Sequence, residues 1–172
     1  MIRRTSKSET AWEGGSFSSA DEKTRTKISS RSILLVDDDA CILTVLAWNL
    51  KDLGLRVTTA LGGQEGFIRL SEQRFDLLIT DFVMGDMDGL FLVKIANLLY
   101  PEMKIIVMTG SPHLIPGSLP LFHRFDALLE KPFRLDEFKD LIARFMEEAG
   151  GKRKGDSEML KPSSAVKILT PA

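Results

Sequence analysis

Short apolar runs alternate with amphipathic segments through the middle of the chain. A continuous apolar run at 33–36 and a mainly apolar run at 75–80 are typical of strands that are buried on both faces of a parallel sheet. Similar short runs predict three further strands, at 56–60, 104–109 and 127–130. Apolar residues at helical spacing lie between the strands and predict four helices, at 40–53, 63–73, 89–99 and 134–148. This alternation predicts an α/β domain in which helices cover both faces of a five-stranded parallel sheet.

The two ends of the chain differ in composition from the middle. Residues 1–31 are rich in Ser, Thr, Gly and charge, which predicts a disordered N-terminal arm. Residues 150–172 predict a mostly disordered C-terminal tail, in which 165–169 is a candidate for a short ordered piece. Each end has a net charge of +3, whereas residues 32–149 have a net charge of −7. We therefore expect one acidic domain, 32–149, between two mildly basic ends.

Composition also argues against several classes of protein. The chain has no unbroken apolar run of the roughly 20 residues that cross a membrane. Polar residues follow the basic N-terminus, which is unlike a signal peptide. Cys41 is the only cysteine, so an intramolecular disulfide is impossible and a cytoplasmic setting is favoured. Basic residues interleaved with aromatics are missing, so we expect neither a nucleic-acid partner nor a membrane partner.

Polar side chains follow four of the predicted strands, at the edge where open α/β sheets bind ligands. They are Asp37, Asp38 and Asp39 after strand one, Asp81 at the end of strand three, Thr109 and Gly110 at the end of strand four, and Lys131 after strand five. Clustered carboxylates repel one another unless a cation intervenes, and Mg²⁺ prefers oxygen ligands and suits phosphate chemistry. A carboxylate can act as the nucleophile, and a lysine and a hydroxyl can bind phosphoryl oxygens. Taken singly, each residue has an ordinary explanation, such as helix capping by Asp39. Together they predict a Mg²⁺-dependent phosphoryl-accepting site centred on Asp81.

Four stretches make the chain resemble the receiver domain of two-component response regulators, the CheY-like family. They are the runs at 33–39, 75–89, 105–110 and 129–133, which span nearly all of residues 32–149. The resemblance implies a flavodoxin-like doubly wound sheet of strand order 2-1-3-4-5. It also implies that Asp81 is phosphorylated from the phosphohistidine of a histidine kinase or histidine phosphotransfer protein.

The resemblance assigns the other roles by position. It implies that Mg²⁺ is held by Asp37, Asp38, Asp81 and the backbone carbonyl of Val83. It places Thr109 as the switch hydroxyl, Gly110 beside it, and Lys131 as the partner of the phosphoryl group. It also implies a cis bond between Lys131 and Pro132.

Three positions depart from the family's usual pattern. Gly85 stands where proline is usual, so we expect a less restrained loop after Asp81. Leu128 replaces the usual aromatic residue on strand five, so a flipping ring is not the readout. Three prolines fall between 111 and 120, in the segment between strands four and five. The helix that the family has there, its helix four, is therefore expected to be short or irregular, from about 119 to 125.

The first helix suggests a docking surface. Its buried stripe is predicted to contain Ile42, Val45, Leu46, Leu50 and Leu53. Leu43, Ala47 and Trp48 would then face the rim or the solvent. We hypothesise that Leu43 and Ala47 contact the kinase bundle, the alternative being simple packing under a tail.

The favoured function is a stand-alone receiver that signals through an unknown protein target or onward phosphotransfer. The 23 residues after the domain, 150–172, are too few for an output domain. Its own chemistry would be phosphoryl acceptance with at most slow self-hydrolysis, so we expect no enzyme. Two alternatives remain: an unphosphorylated pseudo-receiver scaffold, and a phosphatase with an Asp nucleophile in an Asp-x-Asp motif.

Overall fold

The structure, a computed structural model, describes residues 31–85, 87–115 and 124–148, and the backbone of 166–168. Its elements run in the order β1 Ser32–Asp37, α1 Ala40–Asp52, β2 Arg56–Leu61, α2 Gly63–Glu72, β3 Leu77–Asp81, α3 Gly89–Leu99, β4 Lys104–Thr109, a 3-10 helix Pro112–Leu114, β5 Ala127–Glu130, α4 Leu135–Glu148 and β6 Val166–Ile168. Each predicted strand and each of the four predicted helices is present, with ends within two residues of the prediction.

The strands form one sheet of order β2-β1-β3-β4-β5-β6. The first five are parallel, which confirms the predicted 2-1-3-4-5 arrangement. β6 is an additional strand, antiparallel to β5, at the edge of the sheet and within the predicted short ordered piece at 165–169. Val36 lies opposite Thr80 in the register of β1 and β3, so the next residues, Asp37 and Asp81, end neighbouring strands.

Two apolar layers cover the sheet. Ile33 and Leu35 of β1 face the layer formed with α1 and α4, whereas Leu34 and Val36 face the layer formed with α2 and α3. All four side chains are fully buried. Because both faces are covered, a strand of this sheet needs apolar residues at successive positions rather than alternate ones.

The orientation of α1 is predicted only in part: Leu46 and Leu50 are buried as expected, but Leu43, Ala47 and Val45 are not where the prediction places them. Leu43 and Ala47 are only 7% and 6% exposed and belong to the core between α1, α4 and the sheet. Val45 is 48% exposed, and Trp48 is 66% exposed. Residues 42–50 are apolar at almost every position, so two helical stripes are compatible with the sequence. Packing selects the one that contains Leu43 and Ala47, and these side chains therefore cannot form a docking surface.

The connection from β4 to β5 is irregular, as the prolines indicate. The 3-10 helix Pro112–Leu114 opens it, and residues 116–123 lie outside the described part of the chain. Arg124 and Phe125 are not helical, so the predicted helix end at 125 is wrong. The side-chain amide of Asn97 donates to the carbonyl oxygen of Arg124 at 2.8 Å, which ties this loop to α3. Of the predicted arm at 1–31, residues 1–30 also lie outside the described part of the chain.

Candidate functional site

Asp37 lies at the end of β1 and is 1% exposed. Its Oδ1 accepts the backbone N–H of Asp39 at 2.9 Å, and its Oδ2 accepts from Lys131 Nζ at 2.8 Å. Both carboxylate oxygens are therefore engaged, as the burial of an ionised group requires. The side chain is fixed in position by the turn that leads into α1 and by the residue that follows β5.

Lys131 also contacts Asp81, with Nζ 3.1 Å from Oδ1. Burial raises the pKa of Asp81 above its usual value, and the charge of Lys131 offsets this effect only in part. Burial lowers the pKa of Lys131, but the hydrogen bond with Asp37 and the charge of Asp81 outweigh burial, so the net shift is upward. Lys131 is therefore a firmly protonated cation shared by two buried carboxyl groups.

Asp38 is exposed and is held from the other side of the site. Its Oδ2 accepts the backbone N–H of Gly85 at 3.1 Å. A proline at position 85 lacks that N–H, so the departure noted in the sequence supplies a donor to this carboxylate. From the sequence, Gly85 predicts only a less restrained loop. The missing signal was the proximity of two segments 47 residues apart in the chain.

The carboxylates of Asp37, Asp38 and Asp81 each place one oxygen within 4.8 Å of the others. Lys131 supplies one positive charge against these three acidic groups. A divalent cation bound by oxygen ligands would balance the remaining charge, and Mg²⁺ is commonly bound through one or two carboxylates together with phosphate oxygens. The donor set therefore fits the predicted metal.

Asp39 and Asp88 cap helices, as the sequence predicts for Asp39. Asp39 Oδ1 accepts from the N–H groups of Cys41 and Ile42 at 2.7 and 3.3 Å, at the start of α1. Asp88 Oδ1 accepts from Leu90 N at 2.9 Å, at the start of α3. Because Asp39 turns to its own helix, the Asp-x-Asp pattern does not present two carboxylates in the manner that a phosphatase nucleophile motif requires.

Gly89, the first residue of α3, lies against the end of β3. A Cβ at this position would collide with the backbone carbonyl oxygen of Asp81. Its N–H donates to the carbonyl of Phe82 at 3.0 Å. This close approach brings α3 directly against the residue proposed to react, and only glycine leaves room for it.

Thr109 and Lys131 connect the ends of β4 and β5. Thr109 is 1% exposed, its Oγ1 accepts from Ser111 N at 2.9 Å, and its carbonyl accepts from Lys131 N at 2.7 Å. Gly110 is exposed, with no atom within 4 Å of where a Cβ would be. The Lys131–Pro132 bond is cis, as predicted.

Two further predicted positions are Leu128, on β5, and Val83, in the loop after Asp81. Leu128 is 7% exposed and packs in the layer with α2 and α3, so its aliphatic side chain is part of the core. The side chain of Val83 is 56% exposed, and the role of its carbonyl as a metal ligand stays a prediction. The structure thus brings together Asp37, Asp38, Asp81 and Lys131, with Thr109 on the neighbouring strand.

Known proteins share both the sequence pattern and the fold. Residues 33–143 match the model of the response regulator receiver domain. The response regulator receiver protein CpdR of Brucella abortus is 33% identical over 116 residues, which are 67% of this chain and 97% of that protein. The transcriptional regulator NtrC of Azospirillum brasilense is 34% identical over 117 residues, which are 68% of this chain but 24% of that protein.

Solved structures give the same result. The response regulator TrrA of Thermotoga maritima, in complex with Mg²⁺-BeF, has a TM-score of 0.60 and 28% identity, covering 67% of this chain and 98% of that one. A CheY-like receiver domain from Methanospirillum hungatei has a TM-score of 0.61 and 29% identity, covering 70% and 96%. None of the helices in the described residues is long and apolar enough to cross a membrane. The chain belongs to the response regulator receiver domain family of two-component systems.

Proposed function

We propose that Asp81 accepts a phosphoryl group from the phosphohistidine of a histidine kinase or histidine phosphotransfer protein. A carboxylate oxygen of Asp81 attacks phosphorus, the P–N bond to the imidazole breaks, and an aspartyl phosphate forms. The observation that carries this proposal is the shared contact of Lys131 with Asp37 and Asp81, because it holds a cation beside the reacting carboxyl group.

The neighbouring side chains are proposed to bind different oxygens of the phosphoryl group, directly or through Mg²⁺. Mg²⁺ would be held by Asp37, Asp38, Asp81 and the Val83 carbonyl, and it supplies charge neutralisation for the transferred group. Lys131 stays anchored to Asp37 and pairs with a phosphoryl oxygen. Thr109 Oγ1 already accepts from Ser111 N, so its hydroxyl proton remains available for donation to the phosphoryl group, beside Gly110.

The partner that carries the phosphohistidine is proposed to contact α1. The exposed apolar side chains there are Val45 and Trp48, which replace Leu43 and Ala47 in this role. α1 begins two residues after Asp38, so the N-terminal end of this helix lies beside the acidic site. Exposed aromatic residues are frequent anchors of protein interfaces.

Output is proposed to pass through a protein target or onward phosphotransfer, with the receiver acting as a stand-alone protein of the cytoplasm. The match over 97% of the Brucella abortus receiver protein supports action as a separate protein. Phosphorylation adds charge and acceptor oxygens at Asp81, which biases a two-state surface without enzymatic turnover.

Acetyl phosphate tests the proposal on the full-length protein. With Mg²⁺, intact mass spectrometry is expected to show one added phosphoryl group, and EDTA should prevent the addition. No mass gain under either condition would favour the unphosphorylated scaffold. Multiple-turnover release of phosphate from small phosphoesters would instead favour the phosphatase.

A further inference from the structure

β6 covers the edge of the sheet that β5 would otherwise leave open. Its three residues pair antiparallel with β5, Val166 opposite Leu129 and Ile168 opposite Ala127. β5 is joined to β4 on its other side, so β6 completes the pairing of β5 on both sides.

The β5 edge is short, with four residues, and most of it carries no charge. Its first three residues, Ala127, Leu128 and Leu129, are apolar, and a charge appears only at Glu130. Natural edge strands are commonly protected by charged residues, prolines or bulges, and an unprotected edge is a template for another strand. β6 therefore adds protection along the uncharged part of this short strand.

Only three residue pairs join β6 to β5, so the stability of this pairing depends on the covalent connection between the two strands. Each hydrogen bond contributes about 0.5–1.5 kcal/mol net, whereas ordering each backbone residue costs about 1–2 kcal/mol. Seventeen residues, 149–165, separate the end of α4 from β6. Because β6 belongs to the same chain, it pairs with β5 within one molecule, and tethered partners have effective concentrations of about 1 mM. This favours the chain's own strand over a strand from another molecule at micromolar concentration.

We propose that β6 blocks an interface between two copies of this chain, in which their β5 strands pair antiparallel. β6 shows that the edge accepts an antiparallel strand. A two-fold axis at Leu128 would set Ala127 of one copy opposite Leu129 of the other, which is the self-complementary pattern of a symmetric dimer. The proposal goes beyond the phosphoryl chemistry, and it applies to the unphosphorylated protein.

The fraction of time that β6 is paired with β5 determines how strongly it weakens dimerisation. If β6 is docked about nine-tenths of the time, both copies must open, and apparent dimerisation is weakened about 100-fold. Displacement of β6 would then convert a monomer into a dimer that joins two sheets edge to edge.

The test replaces Val166 and Lys167 by proline in the full-length chain, since proline removes the N–H that a strand needs. Light scattering and sedimentation at about 100–300 µM protein are expected to show a monomer for the parent and a dimer for the V166P/K167P variant. These protein concentrations are below the effective concentration of about 1 mM at which the tethered β6 competes for β5 in the parent. A matched variant with prolines at Ser157 and Glu158, outside β6, should remain monomeric. The V166D/I168D variant, which disfavours docking by charge instead of by proline, should dimerise as V166P/K167P does.

Hydrogen exchange of residues 126–131 provides the second readout. In a V166P/K167P sample held at low micromolar concentration, where dimers dissociate, this segment should exchange at least about tenfold faster than in the parent. A variant that stays monomeric while its β5 exchanges faster would overturn the proposal. Unchanged exchange, or a parent that dimerises as strongly as the variant, would also overturn it.

Discussion

Replacing Lys131 with methionine removes the positive charge between two buried carboxyl groups and keeps a side chain of similar length. Nζ lies 2.8 Å from Asp37 Oδ2 and 3.1 Å from Asp81 Oδ1. Removing one partner of a buried ion pair costs about 3–5 kcal/mol, because the remaining charge is left without compensation. The Lys131 side chain retains 20% exposure, so water screens part of the charge. We therefore expect a loss near 3 kcal/mol, at the lower end of that range.

Urea unfolding followed by circular dichroism, in EDTA at neutral pH, measures the loss in the free energy of unfolding. The matched control is Lys139→Met, since Lys139 Nζ lies 3.7 Å from Asp52 Oδ2 in an exposed pair. Exposed pairs contribute about 0–1 kcal/mol. If Lys131→Met costs no more than Lys139→Met, then Lys131 does not neutralise a buried acidic cluster, and the reasoning about the site is refuted.

Magnesium extends the same experiment. A ligand at about 100 times its Kd stabilises a protein by about 2.7 kcal/mol. Mg²⁺ should stabilise the Lys131→Met variant more than the parent, because the ion then provides the only positive charge among the three carboxylates. An equal gain in both proteins would mean that Lys131 and the metal do not share these ligands.

The remaining predictions concern three nearby positions. Gly85→Pro removes the N–H that Asp38 accepts and should weaken Mg²⁺ binding about 3–10-fold by calorimetry, whereas Gly85→Ala keeps the donor and should bind like the parent. Gly89→Ala pushes a methyl group against the Asp81 carbonyl and should cost about 1–3 kcal/mol in urea unfolding; a cost as small as that of Gly85→Ala would contradict the close approach. Burial raises the pKa of Asp81, so its ionised form destabilises the metal-free fold above that pKa, and the penalty fades as pH falls through it. Asp81→Asn should therefore raise the urea midpoint in EDTA more at neutral pH than near pH 3.8, the ordinary pKa of this side chain, and an equal rise at both pH values would argue against this cause.

The sheet and most of the site follow from the sequence for a definable reason. Continuous apolar runs identify strands covered on both faces, and the parallel arrangement brings their carboxyl ends to one edge. Asp37, Asp81, Thr109 and Lys131 each end or follow such a run, so their proximity could be predicted from topology alone. Caps such as Asp39 were predictable because they act on residues two or three positions away.

Three features depended on packing that the sequence does not specify. The direction of α1 was ambiguous because apolar residues occupy two overlapping stripes, and Leu43 and Ala47 were placed on the wrong one. The bond from Gly85 to Asp38 joins distant segments through a backbone donor, which no side-chain pattern records. The position of β6 was also hidden, because three apolar or basic residues in a polar tail do not reveal which strand they join.

The central claim, that Asp81 carries the phosphoryl group, is tested most directly by locating that group. Full-length protein treated with acetyl phosphate and Mg²⁺ is digested, and mass spectrometry identifies the peptide that gains about 80 Da. We predict the gain on the peptide that contains Asp81, its absence in Asp81→Asn, and its persistence in Asp39→Asn, where asparagine still caps α1. A phosphoryl group on Asp37, Asp38 or Asp39, or one that persists in Asp81→Asn, would contradict the account.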